Sequence, residues 1–153
     1  VTEILPAQIT DAASANQWTE YVRSKITPDT VDSEIRGPDW IIHALDDVAA
    51  AAGRMVLVVK EADRVRGDAS RVLAKAQARA QLAVKDEQLR VDEKAARVVE
   101  LTETEAEAAA VAESAYQYAR SVARLVEERK SAVQTMARMV ELSYQLAGSR
   151  RTG

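Results

Sequence analysis

The chain has 153 residues, no cysteine, no phenylalanine, 4% aromatic residues and a formal net charge of −3. The missing cysteines exclude a disulfide framework, a thiolate nucleophile and a cysteine zinc site. The acidic balance excludes a global cationic field, so any surface for nucleic acid has to be a local patch. Much of the hydrophobic content is alanine, which buries little area, and thin helix seams are expected in place of a thick core.

The opening VTEILPAQIT lacks the basic and apolar regions of a signal peptide. The longest apolar run, 48–59, is broken by Arg54 and falls far short of the roughly 20 residues that span a bilayer. A soluble, cytoplasmic chain without membrane contact is therefore expected. Pro6, Pro28 and Pro38 are the only prolines, and the breaks fall at Thr27-Pro28 and Gly37-Pro38. A first helix is predicted over about 10–25, with Thr10 or Asp11 as its N-cap and Trp18, Val22 and Ile26 on its apolar side. A short helix is predicted over 28–35.

Pro38 suits a first helical position, and the helix it opens is predicted to run over 39–84. Ile41, Val48, Met55, Ala62, Ala69, Ala76 and Ala83 recur every seven residues. Leu45, Ala52, Val59, Leu73 and Ala80 form a second row, interrupted by Arg66. The phase does not slip at Gly67, which costs about 1 kcal/mol relative to alanine but does not end the helix. A short connecting helix is predicted over 86–101, with Val91, Ala95, Val98 and Val99 as its apolar side.

The last helix is predicted over 104–147, with Gly148 as its stop and a fraying tail over 149–153. Ala108, Ala115, Val122, Met136 and Ser143 form one row, and Ala112, Ala119, Val126, Val133, Val140 and Ala147 the next. Val111, Tyr118, Leu125, Ala132, Met139 and Leu146 make a third, a face wider than a two-stranded coiled-coil seam.

These elements predict an all-α fold: a coiled-coil-like antiparallel hairpin over 38–148, capped at its far end by the connecting helix. The helical segment 1–37 is expected to cover the open end, with Trp18 near Trp40. The expected helix–helix interface comprises Val48, Met55, Val59, Leu73, Val122, Leu125, Val126, Val133, Met136 and Val140. A wide apolar face on a hairpin is left partly uncovered, and self-association into a dimer or tetramer is expected to cover it.

Chemistry-bearing patterns are scarce. His43 is the single histidine and has neither an HExxH nor a Glu-x-x-His partner, so it is read as a helix-surface residue near Trp40. No nucleophile elbow, phosphate loop, dinucleotide fingerprint or calcium loop occurs. No catalytic residue, metal site, cofactor or small-molecule substrate is expected. Carboxylates cluster at Glu100, Glu103, Glu105 and Glu107, and again at Asp86, Glu87, Asp92 and Glu93; the first group sits where a helix begins, and helix-end electrostatics accounts for it better than a metal does. The distinctive surface is basic. Lys60, Arg64, Arg71, Lys75 and Arg79 share a narrow helix sector, broken only by Asp68, and could follow a phosphate backbone; the competing reading is an ordinary solvated face. No aromatic residue is interleaved, so base stacking is not expected.

The stretch RVLAKAQARAQLAVKDEQLRVDEKAARVVELTETEAEAAAVAESAYQYARSVARLVEERKSAVQTMARMV resembles a group of small alanine- and arginine-rich helical-hairpin proteins of phages and prophages, common in actinobacterial phages. The likeness is carried at its end by Ala115-Tyr116, Ala119-Arg120, Leu125 and Ser131-Ala132-Val133-Gln134, and it leaves out 1–37. It implies an accessory protein of phage DNA recombination or replication in the cytoplasm of the bacterial host, without assigning any residue a role. DNA or a DNA-handling protein is then the expected partner. The alternative is a virion component or host-protein binder that uses its apolar helix faces. A secretion substrate built on a helical hairpin is disfavoured, because the chain has neither a WxG turn nor a Tyr-x-x-x-Asp/Glu tail.

Overall fold

The computed structural model describes residues 5–26 and 37–149. The short helix predicted over 28–35 and most of the predicted tail lie outside them. Among the described residues there are four helices and no strand: α1 (Ala12–Ile26), α2 (Pro38–Val84), α3 (Val91–Leu101) and α4 (Glu103–Ser149).

Helix α1 begins with a reciprocal cap. Asp11 Oδ1 accepts the Ser14 N–H at 2.8 Å, and Ser14 Oγ accepts the Asp11 N–H at 3.1 Å. Two of the donors a helix start leaves open are satisfied this way. The Ser14 N–H, first, and then the Ser14 hydroxyl hold the Asp11 carboxyl below its ordinary 3.8. A carboxyl whose folded pKa is depressed contributes stability above its unfolded pKa and loses it as pH falls through the folded value. Asp11→Ala is therefore expected to cost about 1 kcal/mol at neutral pH, with the difference from wild type shrinking below pH 3.8. Urea titrations at both pH values check it; an equal difference at the two would refute the cap.

Helix α2 starts as expected, with Pro38 in its first turn and the Gly37 carbonyl accepting from the Ile41 N–H at 3.3 Å. It continues unbroken through Gly67, where a Cβ would meet nothing within 4 Å. Its buried side chains change row along its length. Ile41, Val48, Met55 and Ala62 are buried, but Ala83, predicted in the same row, is exposed, and Ala80 and Val84 are buried in its place. A straight helix drifts about 20° per heptad, so a strict seven-residue row rotates out of a seam this long.

Helices α2 and α4 run antiparallel. Arg129 lies against Trp40, Arg66 against Tyr116 and Glu113, and Ala69 and Val72 share a groove with Thr104 and Ala108. Val48, Met55, Val122, Val126 and Val133 are buried in the seam, with Val59, Met136 and Val140 packed at its edge. Leu73 is half-buried. Leu125 departs from expectation: it is 42% exposed, because the third row of α4 lies beyond the edge of the seam.

The connecting helix does not sit across the tip. The turn is the segment 85–90, and α3 packs along the last turns of α2 as the first part of the returning arm. It joins α4 through Thr102 alone. The Thr102 N–H still donates to the Val98 carbonyl at 3.1 Å, and its own carbonyl accepts from the Ala106 N–H at 2.9 Å. Its φ of −118° and ψ of 14° leave the helical range, so the arm is jointed there but not interrupted.

The N-terminal segment is also placed differently from expectation. Helix α1 lies in the groove between α2 and α4, antiparallel to α2, and covers the middle of the hairpin. Ala15, Thr19, Val22 and Ile26 form its buried side. Trp18 is at the level of Leu57 and Val58, donates its indole N–H to the Pro6 carbonyl at 3.0 Å and meets Tyr21 edge-on. Trp40 packs near Arg129, ~26 Å further along α2 at 1.5 Å per residue, so the predicted Trp18–Trp40 pairing does not form. Part of the apolar face that was expected to require a second copy is thus covered within the chain.

Candidate nucleic-acid interface

Where α1 ends its cover, near Val65 to Val72, the hairpin continues as a two-helix arm built from the end of α2, the turn, α3 and the start of α4. The basic row predicted on α2 straddles this boundary, and its members have different fates.

Arg64 is committed inside the chain. Its guanidinium pairs with Glu61 at 2.8 Å and Asp68 at 3.2 Å, and donates to the Ile9 carbonyl at 2.9 Å, tying the N-terminal segment to α2. The hydrogen bond to Glu61, above all, raises its pKa. Arg71 pairs with Asp68 as well. The one acidic residue in the row therefore bonds both arginines beside it. Lys60 is exposed but separated from the arm by that cluster.

Lys75 and Arg79 are exposed on the arm, and among the described residues neither forms an ion pair. Lys85, also exposed, extends the patch to the turn. The row of spacings missed Lys85 because it stands six residues after Arg79. A different signal finds it: between Asp68 and Asp86 the chain has no carboxylate and four cations, Arg71, Lys75, Arg79 and Lys85. The row as predicted is thus redrawn toward the tip. No aromatic residue occurs anywhere in 69–111, so the arm offers charge but no stacking platform.

Arg66, the interruption in the apolar row, has its own explanation. It is half-buried between the arms, 4.2 Å from the Tyr116 ring centroid, and pairs with Asp63 at 2.5 Å and Glu113 at 3.4 Å. Its aliphatic stem fills a seam position while its head reaches the rim. The Asp63 hydrogen bond leads the causes that raise its pKa.

Other chemistry is sparse. His43 is exposed on α2, and among the described residues no group of three metal-ligating side chains converges. The acidic positions serve helix starts in part: the Glu93 carboxylate accepts the Arg90 N–H at 2.9 Å at the head of α3. An open groove of about 500 Å³ beside α1 is walled by Ile9, Trp18, Leu57 and Val58, and its rim charges Glu61 and Arg64 already bond each other. Among the described residues, no helix is long and apolar enough to cross a membrane. Comparison with protein-family models, curated proteins and solved structures found no match to this chain.

Proposed function

We propose that this chain is a non-enzymatic helical accessory protein of phage DNA recombination or replication, acting in the cytoplasm of a bacterial host and contacting nucleic acid through the cationic edge of its arm. The phage setting comes from the sequence resemblance. The observation that carries the contact is the run from Arg71 to Lys85, with four cations, no carboxylate and, among the described residues, no ion pair at Lys75 or Arg79. Arg71, Lys75 and Arg79, four residues apart on the helix, are ~6 Å apart along its axis and face the same side, and Lys85 follows six residues on at the turn. Such a row neutralises phosphates and releases counterions, without reading sequence.

Fluorescence anisotropy with labelled single- and double-stranded DNA across a salt series tests this. Three or four neutralised phosphates give a log–log salt slope of about −2 to −4. Lys75→Glu combined with Arg79→Glu is expected to weaken binding at least about tenfold and flatten that slope. Arg64→Gln, at a residue held by Glu61, Asp68 and Ile9, is expected to leave the slope unchanged. Absence of binding at low salt would reject the reading.

A second reading, a protein binder that uses apolar helix faces, is favoured by one specific feature. Met139, Leu142 and Leu146, near the end of α4, are all more than half exposed. A stable complex with a single protein and no DNA affinity would select it.

A further inference from the structure

The two edges of the arm carry opposite charge. Along α2, the run 69–85 has four cations and no carboxylate. Along the return, 86–107 has eight carboxylates and three cations, a net charge of −5. These runs pack side by side, yet among the described residues no ion pair joins them. Among the described residues, the one hydrogen bond made across the turn by a charged side chain runs from Lys94 Nζ to the Lys85 carbonyl, at 2.8 Å.

Helical spacing explains the segregation. Leu73, Ala76, Ala80 and Val84 are the half-buried and buried positions of α2 in the arm, which turns Lys75 and Arg79 outward. On the return, Val98, Thr102, Glu105 and Ala109 are the covered positions, and Glu103 and Glu107 are exposed. The arm is therefore basic along one outer edge and acidic along the other.

We infer that the arm's partner, in the absence of nucleic acid, is the arm of a second copy, with the cationic edge of one chain against the acidic edge of the next. Two-fold side-by-side pairing would set like edges together. Unlike edges meet when the contact is head-to-tail, and a contact of that kind repeats into a ring or an open filament. Exposed Val72 and Val111, 56% and 49% accessible, flank these edges and add apolar area to the contact. Charge complementarity favours the right register and penalises like edges. The same lysine and arginine would serve nucleic acid, so assembly and nucleic-acid binding compete. The inference rests on the reading above for that competition, but not for the contact itself.

Sedimentation velocity of the full chain, without nucleic acid, tests the contact. Concentration-dependent association at low salt, lost at high salt, is expected. Lys75→Glu/Arg79→Glu and Glu103→Lys/Glu107→Lys should each associate at least about tenfold more weakly alone. Mixed in equal amounts they should associate again, because the first variant keeps its acidic edge and the second its basic edge, while each one's altered edge is brought close to neutral. Monomers at low salt, association that survives either variant, or a mixture that stays dissociated would overturn the inference. The two readings fail separately. DNA binding by a chain that stays monomeric overturns only the assembly. Charge-dependent assembly of a chain that ignores DNA supports the contact and overturns the nucleic-acid reading.

Discussion

Met55→Ala is expected to lower the unfolding free energy by about 3 kcal/mol, as read from urea denaturation followed by helical circular dichroism. Met55 is 1% exposed and heads the fully buried side chains by volume. The buried core cluster it belongs to is mostly valine and alanine, which have too few rotatable atoms to reach into a vacated site. The cavity should therefore persist, and a persistent cavity adds to the lost transfer energy. For a domain whose total stability lies between about 5 and 15 kcal/mol, a loss of this size is large. Met55→Leu nearly conserves volume and should cost less than about 1.5 kcal/mol. A loss below about 1 kcal/mol for the alanine variant would mean that the seam is looser than its burial implies.

Ala119→Leu should destabilise by a similar amount, about 3 kcal/mol, for the opposite reason. Ala119 is fully buried, as is Ala15 on α1, and Ala62 and Ala115 nearly so. Close approach of the helices depends on small side chains there, and a longer one must push α1 or α2 away. The neighbouring Tyr118 hydroxyl bonds Glu20 and Arg23 of α1, so displacement would break polar contacts as well. Burial is the main cause that raises the Tyr118 pKa, followed by the bond to Glu20. The same substitution at Ala132, exposed on α4, should stay within about 0.5 kcal/mol. Equal effects at the two sites in thermal and urea unfolding would contradict the packing described.

Much of the fold was legible in the sequence because helical periodicity survives along long unbroken segments. The uninterrupted phase across Gly67 and the proline at the head of α2 were both readable from residue order. What the periodicity could not supply was which helix fills which groove. Three apolar rows on α4 suggested a missing partner, and only the three-dimensional path of α1 shows that the chain supplies part of it. Trp18 and Trp40 looked like a pair because both are rare aromatic residues near the front of the chain, and sequence proximity says little about level along a long helix. The basic row was visible as spacing, but Asp68 is within reach of two of its members, and side-chain pairing on a helix surface depends on rotamers that spacing leaves open.

The turn at 85–90 has a consequence for the entropy of closing the chain. Its nearest pairings, around Val84, enclose only a few residues, whereas the level of Val48 and Val133 encloses about 85. The better-buried side chains lie at that distant level, and the arm next to the turn is thinner. In a flexible chain the closure penalty grows only with the logarithm of the enclosed length, by about 2 kcal/mol between loops of roughly 10 and 85 residues. A single buried valine or methionine offsets most of that difference. The hairpin can therefore keep its hold at the end far from its turn, leaving the turn-proximal arm with little to bury and its charges free to face outward.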